Sequence, residues 1–232
     1  MKYAFVVIAT MLMSVSVSAQ NWADPAHYLL DSLDLNTVGQ QDSVLLDGAL
    51  EQYHAAKHDT TRLRVLLNFS ENCQDDKLWI RYTKLAGQMI EQQKGEERSP
   101  LVQEVYNRFE SRCFSNSGYF EQAYGNTTTA LDYYFKALKI AETLEETSAL
   151  STVLINIGGT YFFLEDFEGA LEYFDRAYGL VEQGDDIDKL SLVINNIAVI
   201  YAELDKNHEA LRYYKIALDV CESQGNDFGK AM

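Results

Sequence analysis

Three stretches decide the reading of this chain: Ala130-Leu131-Asp132-Tyr133-Tyr134-Phe135-Lys136-Ala137, Ala170-Leu171-Glu172-Tyr173-Phe174-Asp175-Arg176-Ala177 and Ala210-Leu211-Arg212-Tyr213-Tyr214-Lys215-Ile216-Ala217. They align without gaps at a spacing of 40 residues. Twelve residues before each leading Ala stands a small residue, Gly118, Gly158 or Ala198, and two before that an Asn, namely Asn116, Asn156 or Asn196. Tyr161 and Tyr201 follow three residues after the small position in the last two copies. Agreement at several independent positions marks an array of repeated units, each too small to bury its own apolar face.

The residue types have a physical reason. Small residues at Gly158 and Ala170 remove bulk where two helices cross, so the helices approach at the short end of the usual range of about 8–10 Å. Aromatic residues such as Tyr161 and Phe174 fill the space beside the crossing and bury large area. Ala177 leaves room for the next unit. This aromatic stripe therefore reads as core.

The pattern resembles the tetratricopeptide repeat family, whose mark is a small residue and a Tyr on a first helix, then Ala-x3-aromatic-x2-Ala on a second. The matching positions are Leu154, Ile157, Gly158, Tyr161, Ala170, Phe174 and Ala177 in the middle copy, and Ile194, Ile197, Ala198, Tyr201, Ala210, Tyr214 and Ala217 in the last. The first copy departs, with Ser117 at the apolar position and Glu121 at the Tyr position. The family's usual period is about 34 residues; 40 adds close to one turn to each helix. The resemblance implies an all-α fold, a right-handed superhelical solenoid of antiparallel helix pairs.

Outside the clear repeats, Thr60–Cys73 and Asp76–Gln93 read as a further helix pair, and Ala86 lies 44 residues before Ala130. Ser99-Pro100 reads as an N-cap followed by Pro in the first helical position, opening a helix from Leu101 to about Tyr124. Val44, Leu45, Leu46, Leu50 and Tyr53 are expected to form one apolar face. The domain organisation is then a signal peptide over 1–19, leading helices over 20–58, a degenerate helical repeat with a long connecting helix over 59–110, three repeats over 111–226, and the start of a further, truncated repeat over 227–232. An array that stops there leaves the helix bearing Tyr213, Ile216, Ala217 and Val220 open, a route to self-association and a sign of a longer protein.

The chain has 232 residues, 19 Lys+Arg against 35 Asp+Glu and a formal net charge of −16. That balance excludes a nucleic-acid binder, which needs a basic stripe, and docking on an anionic membrane surface. With 47% hydrophobic residues the chain can bury a sizeable core, and its 2 prolines permit long helices. Lys2, an apolar run from Ala4 to Met13 and the small-residue run Ser14–Ala19 read as a signal peptide cut at Ala19/Gln20. The apolar run is too short for a span, so no direct membrane insertion follows cleavage, and export to the periplasm or cell envelope is expected. Cys73, Cys113 and Cys221 are widely spaced and read as small hydrophobes on helices.

The sequence shows no phosphate-binding Gly-rich loop, no nucleophile elbow and no H-E-x-x-H. His54 and His58 stand at a spacing that would place two imidazoles on one helix face near Glu51, but a solvated helix end is the expected reading. Gly184-Asp185-Asp186-Ile187-Asp188 reads as a loop capping the next helix. No enzyme, no cofactor and no metal site are expected within these residues. The expected function is an exported interaction module that binds a peptide or protein segment in its concave groove. The alternative is the N-terminal sensory region of a longer membrane-bound signal-transduction protein, a histidine kinase, phosphatase, cyclase or transcriptional regulator. The resemblance puts first helices on the groove, with Asn116, Asn156 and Asn196, and Asn195 beside the last, as a ligand-binding ladder of amides. Arg112, Tyr119, Phe162 and Glu203 are its candidate neighbours. The competing reading is that each Asn bonds the adjacent repeat's helix.

Overall fold

The computed structural model describes residues 38–144 and 146–230, the side chains of 221 and 223–230 excepted. The expected signal peptide, residues 20–37 of the leading helices and residues 231–232 lie outside the described residues. All nine elements among the described residues are α-helices: α1 Gln40–Ala55, α2 Asp59–Asn72, α3 Asp76–Gln92, α4 Pro100–Ala123, α5 Thr127–Leu144, α6 Thr147–Phe163, α7 Phe167–Val181, α8 Ile187–Glu203 and α9 Asn207–Lys230. No described helix is long and apolar enough to cross a membrane. Compactness divides the chain between Met89 and Ile90.

In the first unit Leu46 and Tyr53 of α1, Leu63, Leu66 and Phe69 of α2, and Leu78, Tyr82 and Ala86 of α3 are buried. Phe69 meets Tyr82 edge to face with ring centroids 4.7 Å apart. Asp42 is buried, and its carboxylate accepts from the backbone N–H groups of Gln74 at 2.8 Å and Asp75 at 3.0 Å, tying α1 to the α2–α3 turn. Asp75 in turn accepts from the N–H groups of Lys77 and Leu78 and caps α3. Val44 corrects the apolar face expected of α1, because it is exposed while Leu46 is buried. Three consecutive residues at about 100° each cannot share one face. His54 and His58 are also separated: α1 ends at Ala55, Ala56 is extended, and His58 is the extended residue before α2.

The second unit opens with α4, whose first turn is capped as expected: Ser99 accepts from the N–H of Val102, and Pro100 stands in the first helical turn. The boundary drawn at residues 110 and 111 falls inside α4, a single helix of 24 residues. Three pairs follow, α4 with α5, α6 with α7 and α8 with α9. Their turns repeat: Gly125, Glu165 and Asp205, 40 residues apart, all have positive φ, at 82°, 58° and 56°. Only the first copy places glycine in this left-handed conformation, which strains other residues. The loop before α8 ends in the expected cap, Asp186 accepting from the N–H of Lys189.

The helix crossings are built on the small residues. A Cβ added at Gly118 would lie 2.6 Å from Cε1 of Tyr134, and one at Gly158 would lie 3.0 Å from Cδ2 of Phe174. Both rings are buried in one continuous core with Ala130, Ala137, Ala170, Ala177, Ile157 and Ile197. Tyr161 stacks on Tyr173 at 5.5 Å and Tyr201 on Tyr213 at 5.6 Å. The first copy lacks that pair, and Glu121 accepts instead from Nδ2 of Asn126 at 2.8 Å. α4 and α5 nonetheless pack closely, since Gly118 and Tyr134 are both buried. The further repeat expected to start at 227 does not break the helix, because residues 227–230 continue α9.

Candidate functional site

The first helices of successive pairs, α4, α6 and α8, lie side by side. On each of them the positions i, i+3, i+7 and i+11 form one helix face on which every residue is half-buried or exposed. On α4 these are Arg112, Ser115, Tyr119 and Ala123; on α6 Thr152, Ile155, Gly159 and Phe163; on α8 Leu192, Asn195, Val199 and Glu203. The chemistry of this face differs from the rest of the chain. α6 has no charged residue from Thr147 to Phe163, and α8 none from Leu190 to Ala202. The second helices expose charge instead, with Glu168, Glu172, Asp175 and Arg176 on α7 and Glu209, Arg212, Lys215 and Asp219 on α9. Apolar side chains stand open on the first-helix face: Phe163 is 70% exposed, Tyr119 54% and Leu192 48%.

The sequence-derived candidates divide between this face and the seams between helices. Arg112, Tyr119, Asn195 and Glu203 lie on the face. Asn116, Asn156 and Asn196 are half-buried one residue further along, about 100° around the helix. Asn156 donates from Nδ2 to Oγ of Ser115 at 3.3 Å, so this amide serves the α4–α6 seam, the structural alternative to ligand contact. The seam continues with Oε1 of Gln122, which accepts from the Tyr134 hydroxyl at 3.0 Å and the Thr160 hydroxyl at 3.1 Å. Burial holds the Tyr134 phenol above its ordinary pKa, so the hydroxyl keeps its proton. One period later Gln122, Thr160 and Tyr134 correspond to Phe162, Ile200 and Phe174. The first seam is therefore polar and the second apolar. Phe162 is half-buried against Phe167, with centroids 5.8 Å apart, and its neighbour Phe163 is the exposed ring.

Thr152, Ile155, Phe163, Leu192 and Val199 were not among the expected site residues. The charge-free runs across α6 and from Leu190 to Ala202 of α8 were the signal that could have found them. Around the face, Arg108 is held by Glu104 at 2.8 Å and Glu146 at 3.1 Å. Cys113 is buried in α4, and burial pushes the Cys73 thiol up to about 12, with the Asp42 carboxylate adding to the shift, so it stays protonated. Among the described residues no group of three His, Cys, Asp or Glu is placed to hold a metal ion.

Two family models of the tetratricopeptide repeat match the chain, one over residues 111–183 and one over 192–223. Residues 111–183 and 192–223 belong to the tetratricopeptide repeat family. These spans run from within α4 to the end of α7 and from within α8 into α9, and they include the face described above. Among solved structures, BtubC (BKLC) from P. vanneervenii superposes with a TM-score of 0.63 at 20% identity, covering 79% of this chain and 73% of that one. Aspartyl phosphate phosphatase F from Bacillus subtilis superposes with a TM-score of 0.63 at 15% identity, covering 97% of this chain and 70% of that one. Similarity at this level shows a shared helical fold. No curated protein matches the sequence closely. Tetratricopeptide repeats make the chain a protein-interaction module.

Proposed function

We propose that this protein is an exported scaffold that holds a peptide or protein segment against the free face of α4, α6 and α8. One observation carries the reading: in a chain of net charge −16, α6 exposes Phe163 beside the half-buried Thr152, Ile155 and Gly159 with no charge over 17 residues. A solvated helix of an acidic protein has no need of that composition, whereas a surface that must shed water to bind gains from it. Gly159 leaves open space above the helix, where no atom lies within 4 Å of an added Cβ, so a ligand backbone can approach closely. Tyr119, Phe163 and Leu192 are the anchors of the contact, and Asn195 supplies both a donor and an acceptor for a peptide backbone. Asn116 and Asn196 are the remaining amides of the expected ladder, and both are half-buried.

Export rests on residues 1–19, and cleavage between Ala19 and Gln20 is checked by sequencing the N-terminus of secreted material. A sensory role in signalling would use the same face to receive its ligand.

The binding reading is tested by selecting peptides from a displayed random library against the whole chain. Replacing Tyr119, Phe163 and Leu192 by Ala together should weaken the selected peptides at least tenfold with an unchanged melting curve. Replacing Phe135, exposed on α5, should leave binding as it was. Equal loss from both variants, or none from the triple variant, overturns the placement.

A further inference from the structure

The turns after α6 and α8 carry uncompensated negative charge. Glu165 and Asp166 follow α6, and α8 ends in Glu203 with Asp205 in the turn behind it; all four are exposed. Among the described residues none of the four makes an ion pair. Other carboxylates of the array do: Glu104 and Glu146 hold Arg108, Glu142 holds Arg176 at 2.9 Å and Asp186 holds Lys189 at 3.2 Å. Asp166 caps α7 by accepting from the N–H of Gly169, and the neighbouring cation, Lys206, lies over the Tyr201 ring at 5.9 Å. That leaves Glu165, Glu203 and Asp205. The negative ends of the α6 and α8 dipoles add to the same field.

Aromatic surface borders this charge. Phe163 is open at the same end of the first-helix face, beside the exposed Leu164 and with the exposed Tyr124 behind α4. Phe163 and Glu165 belong to the middle pair, have α4 and α8 on either side, and are exposed all the same. Glu203 and Asp205 hold the registers of Phe163 and Glu165 one period later. An open ring beside unpaired carboxylates is suited to an organic cation, which the ring face attracts and the carboxylates pair. A metal ion is a poorer match, since these carboxylates do not converge as a set of three.

We propose, resting on the binding face assigned above, that the segment held there is basic: it places an arginine over the Phe163 ring, paired with Glu165 and Glu203, and sets apolar side chains behind it against Ile155 and Val199. Arginine fits better than lysine, because its planar guanidinium stacks on a ring while its forked donors reach two carboxylates. The net charge of −16 draws such a segment in and turns acidic ones away.

The test starts from peptides selected out of a displayed random library against the whole chain. The selected sequences should share an arginine beside their apolar residues. Replacing that arginine by Gln in a selected peptide should weaken binding about fivefold, the scale of one exposed ion pair with a cation–π contact. Glu165→Gln with Glu203→Gln in the protein should cost as much and leave the melting temperature no lower. The two losses should not add, because each removes the same pair, and both should shrink in about 1 M salt. Glu172→Gln with Asp219→Asn, the same change of net charge placed on α7 and α9, should leave binding as it was. Selected peptides without arginine, or full binding by the Glu165→Gln, Glu203→Gln protein, overturn the proposal. If replacing Tyr119, Phe163 and Leu192 still abolishes binding in that case, the face stands without the arginine; if it does not, both readings fall.

Discussion

Three glycines of the array make a graded test of how its helices meet. At Gly118 a new Cβ would lie 2.6 and 2.7 Å from two ring carbons of Tyr134, at Gly158 it would lie 3.0–3.1 Å from the Phe174 ring, and at Gly159 it would meet nothing within 4 Å. Each Gly→Ala change gains about 1 kcal/mol of helix propensity. Against this, overpacking a closed core costs about 1–3 kcal/mol. The Tyr134 ring is fully buried and its hydroxyl is bonded to Gln122, so it cannot retreat. The Phe174 ring has no such tether. Gly118→Ala should therefore lose about 1–2 kcal/mol net, Gly158→Ala should stay near wild type, and Gly159→Ala should gain up to about 1 kcal/mol. At about 2–4 °C per kcal/mol for a chain of this size, calorimetry resolves the order. The third copy agrees with the argument: it carries Ala198, and its ring, Tyr214, is partly exposed. Gly118→Ala as stable as Gly159→Ala would refute the close approach of α4 and α5.

Two further outcomes follow from the same packing. Tyr134→Phe removes the bond to Gln122 and should cost about 1 kcal/mol near neutral pH. Burial raises the folded-state pKa of Tyr134 above its ordinary 10.0, so the stability tied to its proton is fully present below about pH 10 and is lost as pH rises towards the raised value. The gap between wild type and Tyr134→Phe should therefore close in denaturant titrations above pH 10, and a constant gap contradicts the burial. Glu165→Gly should raise the melting temperature, because Glu165 sits at φ 58° and the left-handed strain of about 1–2 kcal/mol exceeds the entropic cost of glycine. Asp205→Gly should gain less, since Asp tolerates this conformation better; a loss in both variants would count against the turn.

The 40-residue period was legible because packing repeats itself. Gly118, Gly158 and Ala198 must each admit a ring, and Ala130, Ala170 and Ala210 must each admit a helix, so the same residue types return at the same register. The binding face was harder to read for the same reason. Identical residues mark positions that serve the array, and Asn156, one of the repeated amides, does so by bonding Ser115. The face next to it holds Ser115, Ile155 and Asn195 at one register and Tyr119, Gly159 and Val199 at another, unlike residues that no repeat search brings out. A displacement of one residue turns a side chain by about 100°, enough to move a candidate from seam to surface. Arg112, Tyr119, Asn195 and Glu203 were chosen as neighbours of the ladder and lie on the face itself. Near the start, Val44 was misplaced because neighbouring residues turn about 100° apart on one helix, and the His54–His58 spacing assumed a helix that in fact ends at Ala55.

Methyl NMR during titration with a library-selected peptide tests the central claim most directly. Ile155, Leu192 and Val199 report on the first-helix face, Ile140 on α5 and Leu218 on α9 report elsewhere, and Ile157 and Ile197 report on the core. The account predicts saturable shifts in Ile155, Leu192 and Val199 with Ile140 and Leu218 unmoved. Shifts confined to Ile140 or Leu218, with the first-helix methyls unchanged at saturation, would contradict it.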